Sequence, residues 1–261
     1  MNFRFLKYDL DDLAQNSQIR NPEFEMSSRA KQTAFPLRAI RYWWVGQALS
    51  LEMADKPNAT IVDMGAGNGQ MRRYVAGSPS INRRGVNIDS QNWIGLDHNY
   101  ENQFSSAGYQ QAIECDFDEP LPLASGTADA LICIHVMEHL PRPQFSMSEI
   151  ARVLAPGGIF FGGSPTAPPF VSTILHRWLR RKMQEGTTGP NGHINSFSPG
   201  DWKRLVLNAG LQPVFMSGSH LMRLSGSAIE NSRIWAQVNL FWGGLFPSLG
   251  SEIYIQAKKP A

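Results

Sequence analysis

Cysteine is almost missing from this chain: two residues, Cys115 and Cys133, among 261. Both sit in apolar surroundings, with no C-x-x-C pair and no metal-ligand spacing. A disulfide pair is disfavoured, no metal is expected, and the thiols read as reduced core residues of a cytoplasmic protein. Charge is sparse as well. Charged residues make up 18% of the chain, the formal net charge is +2 and the pI is near 8.6. That balance is too mild for an electrostatic footprint on a polyanion, so no nucleic-acid partner is expected. Long apolar runs are also lacking. No segment reaches the roughly 18 consecutive apolar residues of a membrane-spanning helix, and Met1 to Asp12 holds no signal-peptide core. Internal repeats and low-complexity tracts are absent.

What is present is a hydrophobic share of 42%, enough for one large α/β domain with decorations and short for two domains. Residues 1–35 are polar and weakly periodic, an arm or a lid; residues 36–261 read as the domain proper. From Pro36 to Met53 the pattern turns helical, with Leu37, Ile40, Trp43, Trp44, Ala48 and Leu51 near one face. Thr60-Ile61-Val62 is a short β-branched run that leads straight into Asp63-Met64-Gly65-Ala66-Gly67-Asn68-Gly69, and a helix can begin at Gln70. A loop over 78–90 holds Pro79, Arg83, Arg84 and Gly85. Further strands are expected at Trp93–Leu96, Gln111–Cys115, Ala128–Ile134 and Ile159–Gly162. A helix over Phe145–Leu154 and an Ala155-Pro156-Gly157-Gly158 turn precede the last of these. Strands alternating with helices imply right-handed crossovers and a mostly parallel sheet covered on both faces. Ligands of such sheets bind outside the carboxyl ends of the strands. Asp63, Asp97, Asp116 and His135 all fall there.

The glycine run has a physical reading. A strand that reverses into a helix within a few residues favours φ > 0 in the turn. Missing side chains let a ligand approach the backbone. The helix start beyond offers free N–H groups and partial positive charge, suited to a phosphate or an amino-acid carboxylate. Here the glycines run G-x-G-x-G, not the dinucleotide G-x-G-x-x-G, and no phosphate-loop lysine follows. A purely structural turn is the alternative. Likewise Asp63 could cap the next helix, Asp97 and Asp116 could be turn residues, and His135 could be a hydrogen-bonded rim histidine.

Taken in order, these segments resemble the class I S-adenosylmethionine-dependent methyltransferases, in particular the type 11, quinone-biosynthesis-like subgroup. Asp63 to Gly69 resembles their D/E-x-G-x-G-x-G motif. Gly95-Leu96-Asp97 resembles the strand whose acid binds the ribose hydroxyls, and the 78–90 loop explains its distance from the glycines. Cys115-Asp116-Phe117 with Leu121-Pro122-Leu123 is similar to the adenine-side motif. Ile134-His135-Val136-Met137-Glu138-His139-Leu140, Leu154-Ala155-Pro156-Gly157-Gly158 and His193-Ile194-Asn195-Ser196-Phe197-Ser198 are similar to later segments of that subgroup. The resemblance implies a Rossmann-like seven-stranded α/β sheet, S-adenosyl-L-methionine as cofactor and S-adenosyl-L-homocysteine as product. It places the cofactor half at about 55–165 and substrate-side elements at about 166–250. By the same resemblance Asp63, Gly65, Ala66, Gly67, Gly69, Asp97, His98, Asp116, Phe117 and Ile134 are expected at the cofactor. His135 and His193 are the candidate catalytic bases, with Glu138 and His139 behind them.

Beyond Pro165 the resemblance thins. Phe170, Val171, Ile174, Leu175, Trp178 and Leu179 recur at helical spacing beside Arg177, Arg180, Arg181 and Lys182. The segment fits a helix packed on the sheet with a solvated basic end. Peripheral contact with a membrane surface stays open, and nucleic-acid contact is the weakest option. Ile234, Trp235, Val238, Phe241, Trp242 and Leu245 form a second apolar helical pattern, a core helix or a cap over a lipid-like acceptor. Leu211–Met216 and Ile253–Ala257 read as the last strands. The leading expectation is methyl transfer to a small-molecule or lipid-like acceptor. An RNA or protein methyltransferase and a non-catalytic cofactor-binding protein are the alternatives. The sequence leaves the oligomeric state open.

Overall fold

The computed structural model of the chain describes residues 4–84, 90–99, 107–222 and 224–261. Residues 85–89 of the 78–90 loop, Gly85 among them, lie outside the described residues. The strands are β1 (Thr60–Met64), β2 (Asn92–Asp97), β3 (Gln111–Glu114), β4 (Ala128–Ile134), β5 (Leu154–Pro165), β6 (Gln212–Gly218) and β7 (Glu252–Lys258). They form one seven-stranded sheet in the order β3-β2-β1-β4-β5-β7-β6. The pairs from β3 through β5 are parallel, and β7 runs antiparallel to both β5 and β6. The expected Rossmann-like α/β sheet, mostly parallel, is what the chain builds. The strand order reverses direction between β1 and β4, which opens the crevice where such sheets bind ligands.

Alternation along the strands explains why both faces are covered. Ile61, Ala130 and Ile132 point into one apolar cluster with Trp43, Trp44 and Phe161. Val62, Leu131 and Cys133 point into the other, with Met147, Ile150 and Trp202. The first layer is led by α4 (Ile40–Glu52), entered through a short 3₁₀ turn at Leu37–Ala39. Trp43 and Trp44 are fully buried there, whereas Leu51, expected on the same face, is exposed. The second layer holds α7 (Pro143–Val153) and α9 (Pro199–Asn208). The latter opens on a reciprocal capping box between Ser198 and Asp201.

Residues 4–35 are folded into this body. Three short helices, α1 (Asp11–Gln15), α2 (Ser17–Arg20) and α3 (Ser28–Lys31), set Leu13, Ile19 and Phe24 into the first cluster. Asp12 is buried and satisfied: its carboxylate accepts from Tyr74 Oη at 2.9 Å, Ser78 Oγ at 2.7 Å and the Ser80 amide at 3.0 Å. These donors belong to α5 (Gln70–Ala76) and α6 (Pro79–Arg83) with its Ser78 cap, so the segment is tied to the helix that follows the glycine run. Two late helices are only partly packed. Phe170, Ile174 and Trp178 of α8 (Pro169–Gln184) and Ile234, Val238 and Phe241 of α10 (Arg233–Leu245) stand exposed. Among the described residues no helix is long and apolar enough to cross a membrane.

Candidate active site

The site grows from the turn after β1. Gly65 has φ +80°, and a Cβ there would lie 2.2 Å from Val136 Cγ2. Glycine is therefore required twice over, by backbone conformation and by the wall from the turn after β4. Gly67, at φ +53°, faces open space: an added Cβ would meet nothing within 4 Å. That contrast separates a glycine needed for packing from one that leaves room for a ligand. The Gly65 and Ala66 amides donate to the Leu96 carbonyl at 2.8 and 3.1 Å, and the Gly67 amide donates to Asp97 Oδ2 at 2.7 Å. The end of β2 thus holds the turn in shape. Gly69 ends the turn and opens α5.

Two cavities meet here. A cleft of about 820 Å³ is walled by Asp97, His98, Asp116 and Phe117 on one side and His135 and His139 on the other. A smaller one of about 190 Å³ is enclosed by Arg41, Asp63, Ala66, Gly67 and Ile134. Gly65 and His135 line both. Nine of the expected cofactor residues therefore wall one cavity or the other; Gly69 supports the turn from behind. Two strand-end acids are already engaged. Asp97 Oδ1 is 2.9 Å from His98 Nδ1, and Asp116 Oδ1 accepts from the Asp118 amide at 2.8 Å. Asp63 is buried, and its carboxylate accepts from the Tyr109 hydroxyl. Burial pushes its pKa up to about 7, the charge of Asp97 adds to the rise, and the Tyr109 hydrogen bond opposes it.

His135 follows β4 in a left-handed conformation, φ +59°, one that a non-glycine residue holds at a cost of about 1–3 kcal/mol. Its amide donates to the Gly163 carbonyl at 2.8 Å. Its ring lies between two buried carboxylates. Nε2 is 3.4 Å from Glu252 Oε1, and Nδ1 is 3.1 Å from Glu138 Oε1, an ion contact short of a well-formed hydrogen bond. Burial is the largest influence and works against protonation, with Arg41 on its side, yet the charge of Glu252 and the contacts with Glu138 and Glu252 together outweigh them, so the pKa is raised. Glu252 also takes Arg41 Nη2 at 2.5 Å and the Tyr254 hydroxyl at 2.5 Å. Burial alone would raise the pKa of Glu252; Arg41 and His135 hold it well below the usual range.

His193 lies outside both cavity walls, beside His139, with ring centroids 4.9 Å apart in a T-shaped arrangement. Burial, with His139 and His135 nearby, lowers its pKa against the pull of Glu138. The two histidines singled out from sequence thus stand on either side of Glu138. Although no metal was expected, one ligand atom each from Glu138, His139 and His193 fall within 4.8 Å of one another.

Arg41, Tyr109 and Glu252 were missed. Arg41 carried the one usable signal, a charge beside the apolar face of a helix; Glu252 sits in the last strand, where only the antiparallel register with β5 brings it to Pro165 and the crevice. Glu23 and Glu25, from the N-terminal segment, were missed too. Arg73 pairs with Glu23 at 2.6 Å, and Asn68 Nδ2 donates to Glu25 Oε1 at 2.7 Å.

Comparison with known proteins gives a consistent picture. Residues 42–214 match the methyltransferase domain family. A ubiquinone biosynthesis O-methyltransferase of Dechloromonas aromatica is 24% identical over 187 residues, 70% of this chain and 75% of that protein. A protein of Galdieria sulphuraria assigned as a sarcosine dimethylglycine methyltransferase superposes with a TM-score of 0.61 at 17% identity, covering 99% of this chain and 98% of that one. A geranyl diphosphate methyltransferase structure with GPP and sinefungin gives 0.56 at 15% identity, over 89% and 82%. At such identities the structural matches speak for the fold.

Proposed function

This chain belongs to the methyltransferase domain family and is an S-adenosylmethionine-dependent class I methyltransferase; from that premise we propose that it methylates a small-molecule or lipid-like acceptor at the His135 end of the cleft. The observation that carries this reading is the junction of the two cavities at Gly65 and His135. It divides a long cleft, suited to a nucleoside, from a short polar chamber, suited to an amino-acid end. The open space at Gly67 supports the fit. Asp63 and the 65–69 turn would take the amino-acid end, Asp97 and His98 the ribose, Asp116 and Phe117 the adenine, and Ile134 the floor. When bound, S-adenosylmethionine supplies an already activated methyl group. The chain's own task is to orient the acceptor and keep out water, an effect worth about 7–11 kcal/mol in favourable cases.

On the acceptor side, His135 is held by Glu252 and Glu138 and stands where the chambers join, while His193 faces it across Glu138. We assign both to the transfer. The N-terminal segment, through Glu23 and Glu25, serves as a lid on the glycine turn. A small or lipid-like acceptor fits the open cleft, the exposed apolar residues of α8 close by, and the quinone-pathway name of the relative. Arg180 of α8 donates to the Pro141 carbonyl at 3.0 Å, so α8 borders the mouth, and its exposed apolar residues suit peripheral contact with a lipid surface.

The test is a product assay with labelled S-adenosylmethionine against lipid extract, phenolic small molecules, RNA and protein. Label in the first two supports the reading; label confined to RNA or protein overturns it. His135→Ala and His193→Ala should each lower turnover about 10²–10⁴-fold, the range for positioned proton-transfer groups. Affinity for S-adenosylhomocysteine by calorimetry should stay within a few-fold. Unchanged turnover in both removes the histidines from the chemistry.

A further inference from the structure

Glu138 is 2% exposed; its Oε1 lies 3.1 Å from His135 Nδ1, and among the described residues its Oε2 has no hydrogen-bond partner. Leaving an acceptor unpaired in the interior is costly, about 1–3 kcal/mol and more when charged. Native proteins leave such groups only where something else meets them. The surroundings say what that is. Among the described residues no arginine or lysine forms an ion pair with the carboxylate; besides His135 two further imidazoles, His139 and His193, lie near it, and a single atom from each of these two and from Glu138 lies within 4.8 Å of the others.

The cluster is also built rigidly. The Glu138 carbonyl accepts the amides of Ile194 and Asn195 at 2.9 and 3.0 Å. The Asn195 side chain donates to the carbonyls of Met137 and Leu140 at 3.1 and 2.7 Å. These four bonds staple the segment after His193 to the 3₁₀ turn Met137–His139. His139 Nδ1 lies 3.3 Å from the Gly192 carbonyl. With Nδ1 as donor the ring is oriented and Nε2 is left free, the arrangement that orients a metal-ligating histidine. Two imidazoles and one carboxylate match the donor set of open, catalytic sites for first-row divalent metals.

We propose that Glu138, His139 and His193 bind a divalent transition-metal cation at the acceptor end of the cofactor cleft. The inference rests on the methyl-transfer reading above and deepens it, because His139 also walls the cleft. It points to oxygen as the acceptor atom. A hydroxyl held against the cation ionises at lower pH, its proton leaving to solvent at the mouth. The oxygen keeps the electron pair and forms the bond to the methyl carbon. The carbon–sulfur bond of the cofactor breaks, and its electrons return to sulfur.

The experiment titrates the full-length protein with Co²⁺ and with Zn²⁺ alone, following heat and, for Co²⁺, the visible d–d absorption. One site per chain is expected. Glu138→Gln and His193→Ala should each weaken it about 100-fold or more, beyond the 10–100-fold typical of groups that only support a ligand. Far-ultraviolet dichroism checks that both fold, and His193→Ala keeps the stapling main-chain bonds if Glu138→Gln does not. S-adenosylhomocysteine is titrated separately. If it binds while wild-type protein takes up no Co²⁺ or Zn²⁺, or if both variants bind metal like wild type, the metal site is refuted and the methyltransferase reading stands. If S-adenosylhomocysteine fails to bind, that reading fails on its own.

Discussion

Glu252 and Glu138 flank the same histidine and are buried alike, 4% and 2% exposed, yet their surroundings are opposite. Glu252 is saturated: Arg41, Tyr254 and His135 all reach it. Among the described residues the Glu138 carboxylate contacts His135 and lies near two further imidazoles. The first is a closed ion network that fixes His135 from β7 and α4. The second is a half-built coordination shell open to the cleft. One carboxylate serves the fold and positions a side chain; the other is kept available for a ligand.

The largest effect should come from breaking the closed network. Glu252→Ala leaves Arg41 buried without its partner, and loss of one member of a buried pair costs about 3–5 kcal/mol. Urea unfolding should show that loss, whereas Glu138→Gln should stay within about 1 kcal/mol of wild type, because it swaps a carboxylate with one histidine contact for an amide of the same size. Equal destabilisation by the two variants would break the comparison. A smaller effect separates the glycines. Gly65→Ala meets both a positive φ and the Val136 methyl at 2.2 Å, so it should destabilise the fold by about 2–3 kcal/mol. Gly67→Val meets no neighbour, so beyond the backbone cost of about 1 kcal/mol at a positive φ its main effect should be lost affinity for S-adenosylhomocysteine, read by calorimetry.

These contrasts mark what the sequence could and could not reveal. The central sheet and the cofactor wall were legible because β1, β2 and β4 are short, largely apolar runs, β1 leading into Gly65 and β2 ending on Asp97, so local pattern and fold agree. The same logic failed at the N-terminus. Leu13, Ile19 and Phe24 lie on helices of four or five residues or the turns between them, too short to show a period, and Asp12 looks like any polar residue until Tyr74, Ser78 and Ser80 converge on it. On the acceptor side, His135 and His193 stood out as residue types. That Glu138 and His139 join them depends on the stapling by Asn195, a long-range contact with no local signature. The apolar pattern of α8 was visible, but periodicity reports amphipathicity and not which face meets solvent, and here Phe170 and Ile174 stay outside.

The subtlest prediction extends the contrast to a third carboxylate. Asp63 is buried and has a proton-donating neighbour, Tyr109, but among the described residues no ion-pair partner, and its pKa is raised to about 7 by burial, with the charge of Asp97 adding to the rise. An ordinary aspartate in the unfolded chain titrates near 4. Between those values the folded apo-protein holds a proton that the unfolded chain has released, so apo stability should fall as pH rises through that window. A ligand bearing an ammonium group prefers the ionised form, so affinity for S-adenosylhomocysteine should move the other way. It should tighten toward tenfold per pH unit below about 7, equivalent to about 1.4 kcal/mol per unit, and level off above. Calorimetry at stepped pH in buffers of different ionisation heat should show proton release in the same window. In Asp63→Asn both slopes should flatten, and a wild-type profile that is flat from pH 5.5 to 7 would remove Asp63 from the ammonium's partners.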